Sequence, residues 1–140
     1  MDKNVYDDPI LQWANRSDHL CTIEDPDRQA MATNPLCGDR ITIQLTMDGD
    51  TIGHMYYQVR GCILCKASCA NLASIAEGLD YDRLQALRDS LAEFLKSSGD
   101  DRDIIPHLRV FSPVCSHRSR HRCLLLPYDA TLKALSDSEG

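Results

Sequence analysis

The tightest constraint in this chain is a two-residue alternation. Ile41, Ile43, Leu45 and Met47 are apolar, and Thr42, Gln44 and Thr46 between them are polar. Successive side chains of a strand point to opposite faces, so the segment reads as a strand with one buried face. Asp48–Gly49–Asp50 supplies a hairpin turn. The return strand puts Met55, Tyr57 and Val59 on one side and His54, Tyr56 and Gln58 on the other. His54 reads as a solvated strand residue.

Helical patterns flank this hairpin. Near the N-terminus, Ile10, Leu11, Trp13 and Ala14 form the apolar side of a short helix, with Asp8 as cap and Pro9 at the first helical position. Residues 15–33 are polar and read as irregular, with Asp25–Pro26–Asp27 as a turn and Cys21 as a semi-buried thiol. Gly61–Cys62 ends the return strand and starts a helix rich in Ala67, Ala70, Leu72, Ala73, Ile75 and Ala76, which Gly78 can stop. Asp80 or Asp82 opens another helix, whose Leu84, Leu87, Leu91, Phe94 and Leu95 make one apolar stripe that reads as core. Residues 97–101 read as a loop. Residues 104–116 read as extended or short helical pieces broken by Pro106 and Pro113.

The last element runs from about Arg120 to Leu135, with Leu124, Leu125, Tyr128, Leu132 and Leu135 as its apolar side. A start near Cys123 would place Pro127 in the first turn, where the missing N–H costs little. Ser136–Gly140 reads as a frayed tail. No repeat, low-complexity segment or linker divides the chain, and 140 residues suit a single domain spanning 1–140.

Composition narrows the function. The hydrophobic fraction is 43% and the charged fraction 26%, ordinary for a soluble globular chain. A net charge of −6 disfavours a nucleic-acid backbone as partner. The N-terminal twenty residues contain no apolar run resembling a signal peptide. No stretch approaches the roughly 20 apolar residues that span a bilayer. A cytoplasmic protein without membrane or nucleic-acid partners is expected. The seven cysteines are Cys21, Cys37, Cys62, Cys65, Cys69, Cys115 and Cys123. An odd number without a secretory signal favours metal ligation, sulfur chemistry or burial over a disulfide framework.

Three of these cysteines share a setting. Cys37 stands in Asn34–Pro35–Leu36–Cys37–Gly38–Asp39–Arg40, just before the first strand. The freedom of Gly38 would let Cys37 and Asp39 converge on one ion. Cys62 and Cys123 each stand where a helix is expected to start, a placement that lowers a thiol pKa. Three thiolates and one carboxylate make a four-coordinate zinc site or a corner for an iron–sulfur cluster. Such a zinc site carries roughly −2, which Arg40, Arg120 or Arg122 could offset. The oxygen ligand should be the easiest to displace. Cys65 and Cys69 lie on one helix face with Cys62; they read as small core residues, with extra ligands or a relay thiol as the functional alternative. For Cys115 a role as loop ligand is the less favoured reading. His117 and His121 read as solvated residues rather than a metal pair. The Arg118–Arg120–Arg122 alternation suits an anion or an acidic partner.

Taken together, the Asn34–Arg40 stretch, the Asp48–Gly49–Asp50 turn, Gly61–Cys62 with Ala67–Ser68, and Arg122–Cys123 with its closing helix resemble the U-type iron–sulfur assembly proteins: IscU, SufU and the N-terminal domain of NifU. The resemblance covers roughly residues 5–135 and is carried most by 34–76. It implies an α+β fold, a small antiparallel sheet of about three strands packed against several helices. It implies Cys37, Asp39, Cys62 and Cys123 as the metal or cluster site and a cysteine desulfurase as sulfur donor. IscU-type scaffolds have a histidine directly before the third cysteine; here Arg122 takes that place. The segment between Cys62 and Cys123 is also long, and no IscU-type chaperone motif is visible. These features resemble SufU, in which the three Cys and the Asp hold zinc and the protein accepts sulfur. Cys65 and Cys69 depart from the family, where small residues other than cysteine are usual.

The expectation is therefore a zinc-binding sulfur acceptor, a possible sulfurtransferase, receiving persulfide sulfur on Cys37 and feeding iron–sulfur acceptor proteins. The alternatives are a scaffold that assembles and transfers a [2Fe–2S] cluster, and a non-enzymatic zinc-stabilised interaction module.

Overall fold

The alternation at residues 41–47 becomes the middle of a three-stranded antiparallel sheet in the order β1-β2-β3. The computed structural model describes residues 8–35, 38–97 and 104–136. Strand β1 is Arg28–Asn34, β2 is Asp39–Asp48 and β3 is Thr51–Arg60. Ile41, Ile43 and Leu45 of β2 are fully buried, opposite Val59, Tyr57 and Met55 of β3. Gly49 makes the turn at φ 64°, a conformation that costs glycine little. The register shifts at Thr46/Met47, so Met47, though apolar, is only partly covered.

Strand β1 corrects the sequence expectation of irregular structure up to residue 33. Its RQAMATN sequence lacks a run of apolar alternation because it is an edge strand with one covered side: Ala30 and Asn34 are buried while Met31 is half exposed. Cross-strand pairing decides its conformation where local pattern does not. The polar stretch before it also has an ordered role. The Ile23 N–H donates to Gln44 Oε1 at 2.8 Å, and Gln44 Nε2 donates to the Ile23 carbonyl at 3.2 Å and to Gln29 Oε1 at 2.7 Å. Gln44 is thereby buried on the outward side of the sheet. Cys21, expected semi-buried, is exposed in this segment.

Helices cover the inner side. They are α1 (Asp8–Ala14), α2 (Ile63–Ala73), α3 (Tyr81–Lys96), a single turn α4 (Pro106–Arg109) and α5 (His121–Ser136). Helix α1 packs on α2, and α5 lies against β1, β2, α2 and α3. Asp80 caps α3 by accepting the Arg83 N–H at 2.9 Å, and Leu84, Leu91, Phe94 and Leu95 are buried as the stripe predicts. Helix α2 ends at Ala73, before Gly78, which turns the chain at φ 88°. The loop expected at 97–101 lies outside the described residues beyond Ser97, as does the tail from 137. Among the described residues no helix is long and apolar enough to cross a membrane.

Helix α5 matches the expected span from about Arg120 to Leu135, but the place of Pro127 within it is a second correction. The helix begins at His121, so Pro127 is its seventh residue and lies beyond the first turn. His121 is not a solvated residue: its Nε2 lies 3.2 Å from the Val114 carbonyl and 3.1 Å from that of Cys115. That contact, and the 3₁₀ turn at Arg118–Arg120, set the helix start earlier than the proline alone would place it. Pro127 can give no N–H to the carbonyl four residues back. At the next carbonyl, Leu124, the Ser68 hydroxyl donates at 2.6 Å and ties α5 to α2.

Tyr128 on α5 is fully buried, and its hydroxyl has no hydrogen-bond partner among the described residues. Burial pushes its phenol above the ordinary value of 10.0. A buried hydroxyl without a partner costs about 1–3 kcal/mol. Tyr128→Phe should therefore hold stability constant or raise it by about 1 kcal/mol. A urea unfolding curve showing a clear loss would mean that the hydroxyl is satisfied in solution.

Candidate functional site

Strand periodicity brings Asp39 to the site. Asp39 is in phase with Ile41, Ile43 and Leu45, so it continues their inward row by one more position. A carboxylate is thereby placed at the end of a hydrophobic strand, 1% exposed. Arg40 alternates to the outer side, directly opposite Arg60. Adjacency in sequence therefore does not make Arg40 the counter-charge of Asp39. Arg122 is exposed on α5 and lines a cleft with Asn34 and Asp129.

Cys62 arrives from the end of β3. It is the N-cap of α2, and its Sγ accepts the Cys65 N–H at 3.4 Å. Its own backbone N–H donates to Asp39 Oδ1 at 2.9 Å. Asp39 Oδ2 then lies 3.8 Å from Cys62 Sγ. Cys123, the third residue of α5, arrives from the helical side and is fully buried. One ligand atom from each of Asp39, Cys62 and Cys123 lies within 4.8 Å of the other two. These residues are up to 84 positions apart (123 − 39). Cys37, expected to join them, lies outside the described residues.

Two neighbours hold this arrangement, and the sequence pattern assigned neither of them a role at the site. Asn34, paired with Asp39 in the β1–β2 register, is 2% exposed, and its Nδ2 lies 3.9 Å from Cys123 Sγ. The signal was present, since Asn34 opens the Asn34–Arg40 stretch. Gly61 is the other. A Cβ there would lie 2.9 Å from Asp39 Cγ and 3.0 Å from Asp39 Cα, with Oδ1 nearer still. Glycine at this position makes room for the carboxylate.

The thiols are not equivalent. A hydrogen bond with Cys123 is the main influence on Cys62. With the backbone N–H groups of Cys65 and Leu64, it lowers the Cys62 thiol from 9.0 to about 7, against the opposing effects of burial and the Asp39 charge. Cys65 is driven the other way, first by its hydrogen bond with Cys69 and then by burial. Cys65 and Cys69 are both fully buried, matching their reading as small core residues. Cys115 is buried, with its Sγ 3.5 Å from the Phe94 carbonyl on α3, and is not in the Asp39 group.

The lowered thiol gives a pH prediction. In metal-free protein, alkylation of Cys62 should follow its thiolate fraction with a midpoint of about 7 rather than 9.0. Cys123→Ala removes the main hydrogen bond and should move that midpoint upward. Because the folded value is depressed, the associated stability is present above pH 9 and is lost as pH falls through about 7. A midpoint that ignores Cys123→Ala would show that the two sulfurs do not interact.

The donor set suits a thiophilic divalent ion. Two thiol sulfurs and a carboxylate oxygen converge, and the carboxylate has one oxygen fixed by a backbone N–H and the other turned toward sulfur.

Fold and site together define a class: a small α+β protein that gathers thiols and a carboxylate at one end of a three-stranded sheet. The chain belongs to the family described as the NifU-like N terminal domain, whose model matches residues 5–108. It is similar to the zinc-dependent sulfurtransferase SufU of Bacillus subtilis (strain 168), 24% identical over 108 residues, covering 76% of this chain and 74% of the relative. It is also similar to the iron–sulfur cluster assembly scaffold protein IscU of Thermotoga maritima, 20% identical over 133 residues, covering 95% and 94%. Among solved structures, a nitrogen-fixing NifU-like protein (N-terminal) from Brucella abortus superposes with a TM-score of 0.87 at 28% identity. That match covers 98% of this chain and 96% of the other. The α+β fold and the U-type resemblance expected from the sequence are thereby borne out.

Proposed function

We propose that the chain is a cytoplasmic iron–sulfur assembly protein, one U-type domain over its whole length, that accepts persulfide sulfur from a cysteine desulfurase. The observation that carries this reading is the convergence of Asp39, Cys62 and Cys123 within 4.8 Å in a chain of the NifU-like N-terminal family. The SufU relative, named a zinc-dependent sulfurtransferase, supports the sulfur-accepting role over a purely structural one.

Cys37, Asp39, Cys62 and Cys123 would hold Zn²⁺. Bound there, the ion would keep the thiols deprotonated and the three converging segments together. Asp39 would be the weakest of the four ligands, because a carboxylate binds this ion less tightly than a thiolate. Cys37 is the acceptor. Its thiolate attacks the outer sulfur of the desulfurase persulfide, the S–S bond breaks, and the electron pair leaves with the desulfurase cysteine as thiolate. The Cys62 N–H donates to Asp39 Oδ1 at 2.9 Å, which fixes the orientation of the carboxylate beside the thiols. Acceptor proteins that need sulfur or clusters are the downstream partners.

Labelled cysteine and a desulfurase test the reading. Wild-type protein should carry label on Cys37, and Cys37→Ala should carry none. Full labelling of that variant would remove the assigned role. The IscU relative, which aligns over 95% of this chain, favours a second reading, a scaffold for a [2Fe–2S] cluster as cargo. Anaerobic incubation with iron, sulfide and desulfurase separates the two. A stable visible chromophore that transfers to an apo-acceptor supports the scaffold, and a colourless protein supports the acceptor.

A further inference from the structure

We propose that Cys62 and Cys65 act as a dithiol that converts a persulfide carried on Cys62 into free sulfide. The placement of the two residues carries this. Cys62 is the half-buried N-cap of α2, and its Sγ is folded back over the first turn to accept the Cys65 N–H at 3.4 Å. Helix geometry sets Cα atoms three residues apart about 5 Å from each other. Disulfides span Cα separations of about 4.4–6.8 Å, so the backbone spacing of Cys62 and Cys65 suits a bridge once the two side chains rotate toward each other. Cys65 is fully buried. No outside reagent reaches it, and Cys62 is the neighbour through which sulfur chemistry gains access. Cys69, also fully buried, is hydrogen-bonded to Cys65 from one turn further along. A run of thiols therefore leads from the open site into the core, a feature that the role of Cys37 as acceptor does not use.

Cys65 is held protonated, so the anionic outer sulfur of the persulfide takes its proton as Cys65 Sγ attacks Cys62 Sγ, forming the Cys62–Cys65 bond. The bond from Cys62 to the outer sulfur breaks, and that sulfur departs with the electron pair and with the Cys65 proton, as HS⁻. The two cysteines are oxidised to a disulfide and the sulfane sulfur is reduced to sulfide. An external dithiol reductant restores the pair by exchange. The chain would thus supply the two electrons needed to turn accepted sulfur into the sulfide that clusters contain.

The inference rests on the sulfur-handling reading only for its source of sulfur, so the test bypasses the desulfurase. Full-length, fully reduced protein is treated with inorganic polysulfide, excess reagent is removed, and released sulfide is measured. Trypsin cuts after Arg60 and Lys66, so the peptide Gly61–Lys66 contains Cys62 and Cys65 and no other cysteine. Wild-type protein should release sulfide and yield this peptide lighter by two hydrogens. Cys65→Ser and Cys65→Ala should release it at least about tenfold more slowly, because the attacking thiol is absent. Both should retain one extra sulfur on Cys62. Cys69→Ala, which lacks the relay neighbour but keeps the pair, should still form the disulfide. A stable Cys62 persulfide in wild-type protein overturns the proposal. So does equal release from folded Cys65 variants, or a Cys65 variant that takes up no sulfur on Cys62. Failure of desulfurase labelling with a positive result here would sink the acceptor reading alone.

Discussion

Gly61→Ala is expected to separate Asp39 from the thiols and weaken metal binding more than any other conservative change near the site. The added methyl would press on the Asp39 carboxylate and come within 3.0 Å of its Cα. The carboxylate cannot simply swing aside, because Asp39 is 1% exposed and its Oδ1 is held by the Cys62 N–H at 2.9 Å. Either the strand end or the carboxylate must move. Forcing an extra methyl into a packed position costs about 1–3 kcal/mol. Disturbing the support of a metal ligand costs roughly 10–100-fold in affinity. Zinc competition against a chromophoric chelator should show that loss in Gly61→Ala, with a parallel fall in thermal midpoint. Wild-type zinc affinity in this variant would mean that Asp39 is not a ligand.

The second large effect concerns metal removal. If Asp39, Cys62 and Cys123 close on an ion, that ion joins β2, the β3–α2 junction and α5 into one unit. A ligand present at about 1,000 times its dissociation constant stabilises the folded state by about 4 kcal/mol. For a chain of this size each kcal/mol moves the midpoint by about 4 °C, so chelation should lower it by about 15 °C. In Cys123→Ala the zinc-dependent difference should vanish, although the chain starts from a lower midpoint because a buried side chain has been cut back. Differential scanning calorimetry with and without zinc reads both quantities. An undiminished zinc shift in Cys123→Ala would put the ion elsewhere.

Much of the frame was legible in order along the chain, and the reason is local. The β2–β3 hairpin was readable because Ile41, Ile43 and Leu45 repeat every second residue and Gly49 sits in the turn. Helix α3 was readable because Leu84, Leu91, Phe94 and Leu95 recur at helical spacing behind the Asp80 cap. Strand β1 was not. Its few apolar residues acquire a buried side only by pairing with β2, and no local pattern encodes that partnership. Pro127 was misplaced in the first turn of α5 for a related reason: His121 is anchored by carbonyls of residues 114 and 115, a contact invisible to a rule about proline.

At the site the division is sharper. The sequence by itself determined which atoms are available: thiols at 62 and 123, a carboxylate at 39 in phase with the buried face of its strand, and a glycine at 61. Only the tertiary structure decided that these atoms meet. It also decided that the Cys62 N–H fixes one oxygen of Asp39, and that Cys123 rather than an arginine is the main influence on the Cys62 thiol. The physical reason is range. Periodicity and capping act over a few residues along the chain, whereas the meeting of Asp39 with Cys123 is set by how α5 packs across the sheet, which depends on the whole core at once.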